Sequence, residues 1–210
     1  MASACEAVDP EHLKALLQVL DEVVSNEACF RAFLTHRKEG SAQHACWAHV
    51  QNALARDTVN AWCMAFGAWG SNETHWTNVL QSQRNDSLSQ RQKRRAAELA
   101  RKSFREHVSQ RLGMSLEKYD AFAASMRDFR NNHTAHRAVA QRHPLPDLSI
   151  AARIVLEFDE WLRGWMLPQR FDYPLLRDSA AAYARGASTE VETAMRAVRR
   201  ADPTRPAQPE

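Results

Sequence analysis

Residues 127–137 read Arg-Asp-Phe-Arg-Asn-Asn-His-Thr-Ala-His-Arg, which sets three arginines, two asparagines and two histidines side by side. A guanidinium is permanently charged and matches a phosphate in shape, and an imidazole can take or give a proton near neutral pH. Arg130 and His136 are therefore the pair whose chemistry needs explaining. One could hold a phosphodiester and offset the charge that builds on it, while the other moves the proton of an attacking hydroxyl. No smaller set of groups could cleave RNA without a metal ion.

The helix that must position this pair is legible in the spacing. Leu116, Tyr119, Ala123, Met126 and Arg130 recur at three- and four-residue steps, and Phe122, Phe129 and His136 form a neighbouring stripe. Arg130 thus continues an apolar stripe toward its end. His136 lies six positions on, about 120° around an ideal helix and about 9 Å along it. The two side chains flank one broad face, with His133 between them in azimuth. Taken alone, the spacing leaves a bland alternative open, in which Arg130 pairs with an acid on another helix and His136 is a packed, hydrogen-bonded histidine.

The run Arg130-Asn131-Asn132-His133-Thr134-Ala135-His136 resembles the signature of the HEPN superfamily, an arginine followed by a polar residue and, after four to six intervening positions, a histidine. The form Arg-Asn-x-x-x-Ala-His-Arg is similar to the abortive-infection, AbiU-like branch, and the break before Asn72, His75 and Trp76 is similar to the same branch. The resemblance spans about residues 41–167, and its sharp part is the seven-residue motif.

The resemblance implies an all-α HEPN-like fold and a metal-independent endoribonuclease, in which the RNA 2′-hydroxyl attacks its own 3′-phosphate. The products are a 2′,3′-cyclic phosphate and a 5′-hydroxyl. His136 would be the general base or acid, Arg130 would hold the phosphate, and Asn131 would orient that phosphate or His136. The motifs of two protomers would meet across a homodimer, in a shared groove that gains a second histidine. Phage defence or a toxin–antitoxin pair, with a protein antitoxin as a possible partner, is the implied setting. HEPN toxins silenced by adenylylation carry a tyrosine two positions after the histidine. Ala138 stands there, so that control is not expected. The alternative is a non-catalytic HEPN-like module that uses the same face to bind RNA, nucleotide or protein.

His133 is not required by the motif. It could share the acid–base work or simply face solvent, and Arg137 could contact a phosphate or be a solvated surface residue. Residues 90–112 form a basic helix in which Arg91, Lys93, Arg94, Arg95, Arg101, Lys102, Arg105 and Arg111 stand against Glu98 and Glu106. It is either a solvated face or a phosphate-binding one, with Arg91, Arg94, Arg95, Arg101 and Lys102 as candidate RNA contacts that would give affinity without sequence choice. No histidine pair comes with an acid or cysteine at familiar ligand spacing, and no Gly-rich phosphate loop appears, so neither a metal nor a cofactor is expected. Trp62, Trp69 and Trp76 read as packing residues rather than base-stacking ones.

The whole chain supports a helical scaffold. Its 210 residues are 44% apolar and 25% charged, with 6 glycines, and the net charge is +3, which permits an anionic partner without demanding one. Asp9 should cap a first helix through Val24, and a second should cover 27–38. Ser41 should cap a helix to Phe66 that ends at Gly67, and Asn72 should cap a short turn. The residues 81–89 read as a polar loop. The basic helix should pack through Ala96, Leu99, Ala100, Phe104, Val108 and Leu112 and stop at Gly113. Ser115 should then cap the motif helix and Asp147 a helix over 148–167. Two last helices, 174–185 and 188–200, should precede a disordered tail, 201–210. No strand pattern and no repeat appears. The expectation is one all-α antiparallel bundle over residues 1–200. Cys5, Cys29, Cys46 and Cys63 form no Cys-x-x-Cys pair and no apolar span reaches membrane length, so a cytoplasmic protein with reduced thiols is expected.

Overall fold

Asp9 opens the first helix as its sequence suggests: its carboxylate accepts the Glu11 N–H at 2.9 Å and its carbonyl the Leu13 N–H at 3.0 Å. The protein is described from a computed structural model over residues 8–37, 45–67, 72–81, 89–132, 144–165 and 173–201. Within these residues the secondary structure is entirely helical. It comprises α1 (Pro10–Arg37), α2 (Ala45–Phe66), α3 (Trp76–Gln81), α4 (Gln90–Leu112), α5 (Leu116–Arg130), α6 (Leu148–Trp165) and α7 (Leu176–Ala201). Helix α1 packs on α2, α6 and α7, while α5 packs on α2 and α4. No described helix is long and apolar enough to cross a membrane.

Two expected breaks are absent. Helix α1 runs without interruption through Ser25 and Asn26, merging the expected first and second helices. No glycine or proline stands there, and the buried stripe Val23, Val24, Ala28, Ala32 and Phe33 continues across the junction. Helix α7 likewise runs through Gly186, so Ser188 caps nothing. The burial of Ala187 and Val191 outweighs the modest cost of one helical glycine.

The core is aromatic and joins five helices. Trp76 of α3, Phe104 of α4, and Phe158 and Trp161 of α6 meet with centroids 5.0 to 5.7 Å apart. Phe66 of α2 lies 5.2 Å from Phe158, and Trp62 meets Phe122 of α5 edge-on at 5.6 Å. The buried face of α4 differs from the expected one. Ala97, Ala100, Phe104 and Val108 are inside, Ala96 is exposed and Leu99 is 62% exposed. Positions 97, 100, 104 and 108 share one narrow arc of the helix, whereas 96 and 99 fall outside it.

Glu157 of α6 is buried beside a histidine and two arginines from two other helices. It accepts from His107 Nε2 at 3.2 Å, Arg111 Nε at 3.1 Å and Arg177 Nη2 at 3.4 Å. Asp159, also buried, accepts the Leu176 N–H at 3.0 Å, and so caps α7 from a helix away, while Arg163 clamps its other oxygen at 2.9 Å.

Candidate functional site

Local sequence chemistry brings the motif to its place. Helix α4 stops at Gly113, whose φ of 61° is the left-handed conformation that glycine takes without strain. Ser115 then caps α5, its hydroxyl accepting the Lys118 N–H at 3.3 Å. Phe122, Ala123, Met126 and Phe129 bury one face of α5 against α2 and α4. Arg130 follows Met126 by one turn and is half-buried, at the end of the apolar stripe where the spacing put it. Leu116, expected in that stripe, is 38% exposed instead.

The end of α5 is a wide turn rather than a continued regular helix. The Asn131 N–H is shared between the carbonyls of Arg127 and Asp128, and residues 131 and 132 form a π-type turn. The Asn132 amide donates to the Asp128 carbonyl at 2.8 Å. Asn131 Oδ1 accepts from both Arg130 Nε at 3.2 Å and Arg130 Nη2 at 3.0 Å. This fork fixes the orientation of the guanidinium. Asn131 thus holds Arg130 by its side-chain oxygen.

Arg130 also lies along the seam between α5 and the end of α2. Burial pushes the Cys63 thiol up to about 11, against the pull of the Arg130 and Arg127 guanidiniums nearby. Cys63 is fully buried and Cys29 half-buried, both as free thiols. His133, His136 and Arg137 lie outside the described residues, so the structure brings together Arg130 and Asn131 of the expected set.

His75 is a poor candidate for acid–base work. It is buried, and burial holds its pKa down to about 4. Its Nδ1 accepts the Thr77 N–H at 3.3 Å and faces the Thr77 hydroxyl at 2.7 Å, so Nε2 carries the proton and donates to the Gly67 carbonyl at 3.2 Å. It pins the α2–α3 connection.

Apart from Lys93, the lysines and arginines of α4 divide into three groups. Arg91, Arg94 and Arg95 are exposed on its first turns. Arg111 is drawn to α6 by Glu157 and Glu160. Arg101, Lys102 and Arg105 line a cleft beside the start of α5. Another cavity, of about 630 Å³, lies between α1, α6 and α7, with alanines on its walls and a Glu27–Arg31 pair. Among the described residues no three His, Cys, Asp or Glu side chains gather as a metal site would require.

The chain matches no protein-family model, no curated protein and no solved structure. A braced guanidinium at a half-buried helix end can hold an oxyanion and stabilise added negative charge on it. The part that the sequence concealed is the set of polar groups facing α4 and α5. Glu157 was the one readable signal, a carboxylate three residues after Ile154 and four before Trp161 on the apolar stripe of α6. Nothing in the spacing pointed to His107 or to the surroundings of Tyr119.

Proposed function

We propose that the protein is a metal-independent endoribonuclease of HEPN type that works as a homodimer. The observation that carries this is the fork between Arg130 and Asn131, at a half-buried helix end and six residues before His136. In the proposed reaction the RNA 2′-hydroxyl attacks the adjacent phosphorus and the 5′-oxygen leaves. His136 takes the hydroxyl proton, and a second imidazole, from the partner copy, returns a proton to the leaving oxygen. Arg130 neutralises the phosphorane, its orientation already set by Asn131 before substrate arrives. Phage defence or a toxin–antitoxin pair is the setting such an activity suits.

The test is incubation of purified protein with total RNA in EDTA, followed by end-group analysis. Cyclic 2′,3′-phosphate and 5′-hydroxyl ends are expected, and Arg130→Ala or His136→Ala should lower the rate by about 10²–10⁴-fold. Parent-like cleavage by both variants would refute the assignment. RNA binding without any cyclic-phosphate product would instead favour a non-catalytic HEPN-like module. Asn131→Ala is expected to act through Arg130 and to cost less, about tenfold.

A further inference from the structure

We propose that the cleft between α4 and the first turn of α5 is a phosphate-binding subsite for single-stranded RNA, holding the strand some way from Arg130. The proposal rests on the ribonuclease reading and deepens it by naming the surface along which substrate would run. The cleft has a volume of about 360 Å³ and is lined by Glu98, Arg101, Lys102, Arg105, Glu106 and Leu116. That space suits one backbone's phosphate and ribose units rather than a duplex.

Its polar groups are arranged for an anion. Arg105 donates Nη2 to Asp120 at 2.5 Å, while its Nε has no hydrogen-bond partner. The same guanidinium stands 6.0 Å from the centroid of the Tyr119 ring. Arg105, Arg101 and Arg127 are all close enough for their charge to pull against the burial that raises this phenol to about 12. Arg101 and Arg105, which both line the cleft, are a donor pair for a phosphate oxygen. Lys102 contributes a third charge, tied to exposed Glu106 at 3.9 Å, a contact weak enough to yield to a ligand. Leu116 gives the cleft an apolar edge for a base or ribose.

The cations continue toward the motif. Arg127, which bears on Tyr119, also bears with Arg130 on Cys63 one helix over. Arg101, Arg105, Arg127 and Arg130 therefore mark a path from α4 along α5. From Tyr119 to Arg130 it extends about 16 Å along the helix, so the subsite would hold a phosphate several nucleotides from the one cleaved. Arg91, Arg94 and Arg95 lie on the first turns of α4 and do not line the cleft.

The test uses the full chain and a fluorescent 2′-O-methyl oligonucleotide of mixed sequence, which cannot undergo 2′-hydroxyl attack, with anisotropy measured over a range of salt. The parent should bind, with log K falling linearly as log salt rises. Arg101→Ala with Lys102→Ala should weaken binding about tenfold or more and flatten the slope by about 1.4, at about 0.7 per lost single-strand phosphate contact. Arg91→Ala, Arg94→Ala and Arg95→Ala together should cost less than the double variant, although they remove one more charge. An equal or larger loss in that triple variant, parent-like binding by the double variant, or no binding by the parent would each overturn the subsite. If the binding pattern holds but unmodified RNA yields no cyclic phosphate, the catalytic reading fails and the subsite stands. If the parent cleaves RNA and the double variant binds and cleaves equally well, only the subsite fails.

Discussion

His75 shows how one side chain can carry a pH dependence for the whole fold. Neutral imidazole is required by its two bonds to Thr77 and its donation to Gly67, and burial holds its pKa near 4. The unfolded chain titrates the same group near 6.5. Below that value the unfolded state binds more protons, so the contribution of His75 is fully present above pH 6.5 and is lost as pH falls toward 4. The full span corresponds to about 3 kcal/mol. Urea unfolding at pH 7.5 and 4.5 should show a clear drop in the parent and a smaller one in His75→Gln. An equal drop in both would assign the acid sensitivity elsewhere. At the same scale, much of the candidate site could be read from the chain, since Arg130, Asn131 and their place at the end of an apolar stripe follow from types and spacing. The fork between them could not, because it depends on the rotamers that the wide turn permits.

Elements were most legible where their ends are set by near neighbours. Helix α4 has the bounds that its sequence announces: Ser89 forms a capping box with Gln92, and Gly113 closes the helix. The glycine requirement there concerns backbone alone, since a Cβ at Gly113 would meet nothing within 4 Å. Gly113→Ala is thus expected to destabilise by about 1 kcal/mol through its left-handed φ. Gly186 offers the opposite case, in open space inside α7. Gly186→Ala should stabilise by about 0.5–1 kcal/mol. Thermal unfolding of the two variants should move in opposite directions, and a shared sign would be inconsistent with these helix assignments. The joins within α1 and α7 were missed for the converse reason. Ser25–Asn26 and Gly186 look like breaks locally, and only burial along the far side of each helix carries the backbone through them.

The molecule as a whole is tied together where α4, α6 and α7 converge on Glu157. Its side chain is 8% exposed, whereas those of Arg111 and Arg177 are 51% and 53% exposed. The arginines can recover water if the carboxylate is removed, which moderates the loss. Glu157→Ala is therefore expected to cost about 1–3 kcal/mol in urea unfolding, and Glu157→Gln less, because the amide still accepts a hydrogen bond. A neutral Glu157→Ala would mean that the aromatic core alone sets the helix packing. The same packing holds α5 against α2 and α4, so the position of Arg130 depends on contacts far from it in sequence.

The sequence by itself determined the helical class, the caps at Asp9, Ser115 and Asp147, the stop at Gly113, and a motif pairing a cation with a titratable base. Each follows from residues within a turn or two of one another, where periodicity and capping act. Tertiary structure alone decided which arc of α4 is buried, that Asp159 caps α7 from 17 residues away, that His107, Arg111 and Arg177 meet Glu157, and that the Arg105 guanidinium of α4 faces the Tyr119 ring of α5. These depend on partners distant along the chain, and burial, not propensity, selects among the faces that a helix could present.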